Sequence, residues 1–183
     1  MIHSIMKYNK KFVENEQYKP FQTSKYPDKK LAILTCMDTR LTELLPAALG
    51  IRNGDAKIIK NAGGIVTHPY GSVVRSLLIA ILELGVTEIM VIGHTDCGVQ
   101  GMNGKHMLES LKKRGISETY IDIINHSGVH LEEWLSGFEN DEESVINTVN
   151  TLRKHPLMPK DVTIRGFIMD SVTGEIKAIT TPS

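Results

Sequence analysis

Residues 72–94 read SVVRSLLIAILELGVTEIMVIGH, and this stretch decides the fold of the chain. Ser72 to Leu84 carries apolar residues at helical spacing, and Gly85 follows, which predicts a helix with one apolar face and a glycine stop. The aliphatic run Ile89 to Ile92 is typical of a buried strand. A similar run, Lys57 to Lys60, precedes the helix, so the pattern predicts a β-α-β unit with a right-handed crossover.

Three further runs complete the expected sheet. Leu31 to Thr35 is short and apolar, and it predicts another buried parallel strand. Val162 to Met169 and Glu175 to Thr180 flank the turn sequence at residues 173–174, which predicts a hairpin. We therefore expect an α/β fold whose mainly parallel central sheet has four strands plus one antiparallel edge strand.

Helical patterns lie on either side of the sheet-forming runs. Asn140-x-x-Glu143 resembles a capping box and predicts a helix running to about Lys154. Ile5 to Gln17 mixes apolar residues with lysines and predicts an N-terminal helix. No repeat or interdomain linker is evident, so we expect a single domain over residues 1–183, with residues 1–28 as an arm that packs on a partner subunit.

Composition narrows the class of protein. The chain has 183 residues, and its 21 basic side chains balance its 21 acidic ones, so nothing indicates a nucleic-acid or acidic-membrane partner. The sequence shows no secretory signal pattern, and its apolar runs are too short to span a bilayer. We expect a soluble cytoplasmic protein.

Both cysteines stand in motifs with metal-ligand character. Cys36 opens the run CMDTR, and Cys97 follows His94 in GHTDCG. Two thiolates and one imidazole form a ligand set suited to Zn²⁺, and three protein ligands leave a fourth position for water or substrate. A disulfide between the cysteines is the alternative, but the expected cytoplasmic location disfavours it.

The predicted strands bring these residues together. Cys36 directly follows one strand and His94 directly follows another, and open α/β sheets place their ligands at the carboxyl ends of such strands. Gly93 and Gly98 permit the tight turn that would aim His94 and Cys97 at one ion. The sequence therefore predicts one zinc site built from distant segments.

Taken together, these motifs resemble those of the β-class carbonic anhydrases. The resemblance rests on four motifs, in this order: Cys36-x-Asp38-x-Arg40, Asn61-Ala62-Gly63-Gly64, Ser72-x-x-Arg75-Ser76-Leu77 and Gly93-His94-x-x-Cys97-Gly98. It implies a sheet with helices on both faces, a homodimer that can pair further into a tetramer, and zinc held by Cys36, His94 and Cys97. The implied reaction is the reversible hydration of carbon dioxide to bicarbonate and a proton.

The resemblance also assigns roles beside the metal. Asp38 and Arg40 would form a dyad in which Asp38 accepts a hydrogen bond from a zinc-bound hydroxide, while Arg40 keeps Asp38 ionised and oriented. In a closed state, Asp38 would leave Arg40 and become the fourth zinc ligand. Gly63 or Gly64 would offer an amide to a substrate oxygen. His68 is a candidate proton relay. Alternatively, buffer accepts the proton and His68 is a solvated loop histidine without a catalytic role.

Three alternatives remain open at this point. Relatives with the same ligand set hydrolyse carbon disulfide or carbonyl sulfide, so the substrate could be another linear heterocumulene. A zinc-binding regulatory protein without turnover would result if Asp38 stayed on the metal. A cysteine-nucleophile phosphatase is disfavoured, because its loop places arginine six positions after the cysteine, where this chain has Thr42.

Overall fold

The computed structural model describes residues 1–180, so the last three residues of the expected domain lie outside the described range. The strands are β1 (Leu31–Cys36), β2 (Ala56–Asn61), β3 (Glu88–His94), β4 (Thr163–Met169) and β5 (Ile176–Ile179). The α-helices are α1 (Ile2–Glu14), α2 (Leu41–Ala48), α3 (Ser72–Leu84), α4 (Gly104–Lys113), α5 (Glu118–His126), α6 (Leu131–Leu135) and α7 (Asp141–Lys154). No helix within this part of the chain is long and apolar enough to cross a membrane.

The strands form one sheet in the order β2-β1-β3-β4-β5. β1 pairs in parallel with both β2 and β3, β3 pairs in parallel with β4, and β5 runs antiparallel to β4. The expected sheet of four parallel strands with one antiparallel edge strand is confirmed.

Local capping explains why two helices occupy their predicted positions. α3 ends at Gly85, which adopts the left-handed conformation with φ of 73°. α7 begins after Asn140, whose side chain accepts a hydrogen bond from the Glu143 amide at 3.0 Å.

The two faces of the sheet bury different clusters. On one face, α3 and α7 pack on β1, β3 and β4 through aliphatic side chains such as Leu77, Val149 and Ile164. On the other face, Leu41 and Leu45 of α2 pack with a cluster that also contains both cysteines. The candidate site is therefore continuous with one of the two hydrophobic clusters.

Three details differ from the sequence-based expectation. β2 lies at a sheet edge and is only partly buried, with Ile58 41% exposed, because no described strand pairs with its outer side. α2 has no counterpart among the predicted helices, since Pro46 inside it obscures the helical pattern. α1 begins at Ile2 rather than Ile5, and Ser4 Oγ donates a hydrogen bond to the Met1 carbonyl at its start.

The topology places the candidate residues at a reversal of strand order. From β1 the chain moves outward to β2, whereas from β3 it moves in the opposite direction to β4. Cys36 ends β1 and His94 ends β3, so both lie at the carboxyl edge where these connections diverge. Open α/β sheets bind ligands at such a switch point.

Candidate metal centre

Three buried side chains converge at this edge of the sheet. The donor atoms of Cys36, His94 and Cys97 all lie within 4.8 Å of one another. The three residues are 4%, 1% and 6% exposed, respectively. The predicted convergence of two distant segments is therefore present in the structure, and the cluster could hold a metal ion.

His94 is oriented as a metal ligand would be. Its Nδ1 lies 2.9 Å from the carbonyl oxygen of Thr95, which accepts a hydrogen bond when Nδ1 carries the proton. Its Nε2 is buried and has no hydrogen-bond partner within residues 1–180. A buried nitrogen without a partner is costly, and a bound cation would satisfy it while the Thr95 carbonyl fixes the orientation of the ring.

The spacing of the sulfur atoms fits the same interpretation. The Sγ atoms of Cys36 and Cys97 lie 3.8 Å apart, and both cysteines are free. Two thiolates on one tetrahedral zinc, with Zn–S bonds of about 2.3 Å, would lie about 3.8 Å apart. A disulfide would need about 2.05 Å, so the sulfurs are not bonded to each other, and their separation is the one that two ligands of a single zinc would have.

The two thiols are electrostatically unequal. Burial opposes ionisation of Cys36, but the His94 ring and the amides of Asp38 and Gly63 outweigh it and lower the pKa of Cys36. Burial and the nearby Cys36 raise the pKa of Cys97. A divalent cation would stabilise both thiolates at once, since it removes their mutual repulsion.

A glycine turn forms the wall behind Cys36. Asn61 ends β2, and its side chain closes the turn by bonding to both the carbonyl and the amide of Ile65. Gly64 has φ of +65°, and a Cβ built there would lie 2.9 Å from the Cys36 nitrogen. The turn therefore requires glycine for two reasons, backbone conformation and contact with β1.

We expect Gly64→Ala to lower the free energy of unfolding by about 2–5 kcal/mol, because left-handed strain and overpacking against backbone add together. Gly85→Ala is the matched control, since its φ is +73° but a Cβ would meet no atom within 4 Å. The control should lose only about 1–2 kcal/mol. Urea unfolding of both variants measures the difference, and equal losses would contradict the packing argument.

Asp38 and Arg40 form a two-pronged ion pair beside the cluster. Arg40 Nε donates to Asp38 Oδ1 at 3.1 Å, and Nη2 donates to Oδ2 at 2.8 Å. The guanidinium and the Arg40 amide hold the pKa of the Asp38 carboxyl well below its usual range. Asp38 Oδ2 also lies 3.9 Å from His94 Nε2, so the carboxylate borders the position where a metal would bind.

The turn between His94 and Cys97 supplies further contacts to Arg40. Arg40 Nη1 donates to the Asp96 carboxylate at 2.8 Å, and Nη2 donates to the Asp96 carbonyl at 2.7 Å. Asp96 has φ of +55°, unusual for a residue other than glycine. Asp96 is not among the site residues predicted from the sequence, although an aspartate in a two-residue gap between candidate ligands is typical of a left-handed turn.

Known proteins similar to this chain identify its family, and that family agrees with the geometry described above. A family model described as carbonic anhydrase matches residues 31–176, which include every donor described above. The chain belongs to the β-carbonic anhydrase family. It is 49% identical to the putative carbonic anhydrase YtiB of Bacillus subtilis over 179 residues, covering 98% of this chain and 96% of that one.

Other similar proteins include both carbonic anhydrases and carbon disulfide hydrolases. The solved structure of β-carbonic anhydrase isoform I from Trichomonas vaginalis has a TM-score of 0.88 at 32% identity, covering 100% of this chain and 99% of that one. The carbon disulfide hydrolase of an Acidianus species is 33% identical over 162 residues, covering 82% of this chain and 77% of that one. The β-carbonic anhydrase fold thus occurs in relatives named for two different substrates.

His68 is not brought into the donor cluster. It lies on an exposed loop, and its Nδ1 accepts a hydrogen bond from the Tyr70 amide at 3.0 Å. The same loop is held by His155, whose Nε2 lies 2.8 Å from the Pro69 carbonyl. Its role as a proton relay in this β-carbonic anhydrase stays a prediction.

Proposed function

We propose that this β-carbonic anhydrase hydrates carbon dioxide reversibly to bicarbonate and a proton, with Zn²⁺ held by Cys36, His94 and Cys97. The observation that carries the proposal is the buried, unpartnered Nε2 of His94 facing two sulfurs 3.8 Å apart. Zinc, when bound in such a site, lowers the pKa of a coordinated water and supplies a hydroxide near neutral pH.

Asp38 would position the nucleophile. Its carboxylate is ionised, acts only as an acceptor, and borders the metal position on the side of His94 Nε2. It therefore accepts a hydrogen bond from the attacking O–H group and leaves a lone pair of the oxygen free to meet the substrate carbon. Arg40 fixes the plane of that carboxylate through its two parallel hydrogen bonds.

The pairing of Asp38 with Arg40 favours an enzyme over a zinc-binding protein without turnover. An Asp38 side chain engaged by Arg40 through both oxygens is not free to serve as the fourth metal ligand. The fourth position is then available to water and substrate. The closed state, with Asp38 on the metal, requires that these hydrogen bonds break first.

Gly63 and Gly64 would line the substrate side of the centre. The amide of Gly63 is directed at the Cys36 sulfur, where it lowers the pKa of that thiol. A second amide toward a substrate oxygen is the role we propose for Gly64. Both glycines are buried, so such a contact would be shielded from bulk water.

We further propose that the protein acts in the cytoplasm as a homodimer, which can pair into a tetramer. No residue of α1 is buried, and its apolar side chains Ile2, Ile5 and Met6 are exposed. A helix with an uncovered apolar face gains stability by packing on another surface. The arm formed by residues 1–28 would therefore pack on the partner subunit.

Hydration should become faster toward alkaline pH. The two thiolates cancel the formal charge of Zn²⁺, so the attacking water loses its proton at higher pH than it would beside three histidines. Asp38 cannot cause this rise, because its lowered pKa keeps it ionised until strongly acidic pH. Stopped-flow rates from about pH 6 to about pH 9 measure the profile, and a flat profile would contradict the proposal.

Substrate choice is tested on the same preparation with carbon dioxide, carbon disulfide and carbonyl sulfide. The 33% identity to a carbon disulfide hydrolase makes the second substrate class a real alternative. Hydration of carbon dioxide that exceeds both hydrolyses supports the proposed function. If the protein hydrolysed carbon disulfide or carbonyl sulfide but did not hydrate carbon dioxide, that hydrolysis would replace carbon dioxide hydration as the proposed function.

A further inference from the structure

Arg40 is held from two directions, and only one of them involves Asp38. Four hydrogen bonds leave its guanidinium group, two to the Asp38 carboxylate and two to Asp96. Nη2 is shared between Asp38 Oδ2 and the Asp96 carbonyl. The orientation that Arg40 presents to Asp38 is therefore fixed in part by Asp96.

We propose that Asp96 is a positioning residue of the active site, which holds Arg40 against Asp38 and so keeps Asp38 away from the metal position. This inference rests on the proposed function only in assigning Asp38 its role. Asp96 acts through Arg40 and does not itself touch the reacting atoms.

The backbone of Asp96 is shaped for this contact. Its φ of +55° belongs to the left-handed region, which aspartate, asparagine and glycine tolerate better than other residues. In this conformation its carbonyl oxygen lies 2.7 Å from Arg40 Nη2. The left-handed conformation thus produces the Arg40 contact at the same time as it shapes the turn between two candidate metal ligands.

The turn that carries Asp96 is anchored to the sheet. The Thr95 amide donates to the Met169 carbonyl of β4 at 3.0 Å, and the Ser171 amide donates to Thr95 Oγ1 at 3.0 Å. Ser171 is buried. Because the turn is fixed to β4, the Asp96 carbonyl gives Arg40 a fixed contact, while the ion pair of the two side chains is open to solvent, with Asp96 86% and Arg40 39% exposed.

Three variants separate the two contacts of Asp96. Asp96→Asn and Asp96→Gly tolerate the left-handed backbone, so the carbonyl contact persists while the carboxylate is lost. Asp96→Ala also loses the carboxylate, and because it disfavours the left-handed conformation it weakens the carbonyl contact as well. We expect kcat to fall about threefold in the first two, as for loss of an exposed ion pair, and about tenfold in the third. Glu118→Gln is the matched control, since Glu118 is exposed and paired with Lys112 at 2.8 Å, and it should leave kcat unchanged.

A double-mutant cycle tests whether Asp96 acts through Arg40. In an Arg40→Ala background, Asp96→Asn should cause no further loss, because the residue it positions is gone. Losses that multiply in the double variant would overturn the proposal. Wild-type kcat in all three Asp96 variants would overturn it as well.

Cobalt-substituted protein gives a readout that does not need turnover. If Asp96→Ala releases Arg40, Asp38 reaches the metal, and the visible spectrum should shift toward that of Arg40→Ala. A spectrum that stays unchanged, or one that changes without approaching that of Arg40→Ala, would indicate a role only in the turn and would overturn the proposal. The spectrum remains decisive even if the wild-type protein fails to hydrate carbon dioxide, so the two failures are distinguishable.

Discussion

Cys36→Ser should yield a folded protein that retains little zinc and hydrates carbon dioxide more than about 100-fold more slowly than the wild type. Serine replaces a soft thiolate with a hydroxyl that stays protonated near neutral pH, so one of three ligands is lost. Loss of an outer-shell partner alone costs about 10–100-fold in metal affinity or activity, and removal of a ligand costs more. Metal analysis and stopped-flow hydration on the same sample measure both effects.

Met37→Ser is the matched control for this variant. It introduces the same residue at the next position, where the side chain is 62% exposed and belongs to neither the donor cluster nor the core. It should retain about one zinc per chain. If Cys36→Ser also retained full zinc and wild-type activity, Cys36 would not be a ligand.

Arg40→Ala should lower kcat by about 100-fold or more while zinc content stays at the wild-type level. Without the guanidinium, Asp38 loses the donors that orient it, and its carboxylate, which lies 3.9 Å from His94 Nε2, would be free to move onto the metal. Either outcome, misplacement or ligation, prevents Asp38 from accepting the hydrogen bond of the nucleophile.

Two controls give this prediction its specificity. Arg40→Lys keeps the charge but cannot donate the two parallel hydrogen bonds, so its kcat should fall between those of the wild type and Arg40→Ala. Arg114→Ala removes an exposed arginine at the end of α4 and should leave kcat unchanged. Unchanged turnover in Arg40→Ala would remove the Asp38–Arg40 pair from the mechanism.

The donor cluster could be predicted from sequence because of where its residues stand relative to the strands. Cys36 and His94 each follow a run of aliphatic residues, and parallel strands bring their carboxyl ends to one edge. β1 and β3 are direct neighbours in the sheet, which makes the convergence close. The bounds of α3 and the cap of α7 were predictable because Gly85 and Asn140 act locally.

Features that depend on long-range geometry could not be predicted in the same way. The edge position of β2 depends on the strand order, which the short pair Ile58-Ile59 does not specify, although the lysines on either side of that pair are compatible with an edge. α2 contains Pro46, which ordinarily argues against a helix, and its Leu41 and Leu45 pack in the cluster beneath the sheet. The contact between Asp96 and Arg40 joins residues 56 positions apart in the sequence, and it occurs where Asp96 has an unusual positive φ.

If Cys36, His94 and Cys97 hold a catalytic zinc, zinc content and carbon dioxide hydration measured in one preparation should rise and fall together. Zinc is removed with a chelator and then restored by titration, while the hydration rate is followed at alkaline pH. We expect activity to disappear with the metal and to return in proportion to bound zinc, reaching its maximum at about one zinc per chain. Hydration that survives complete removal of zinc, or fully loaded protein that hydrates no carbon dioxide at any pH, would contradict this expectation.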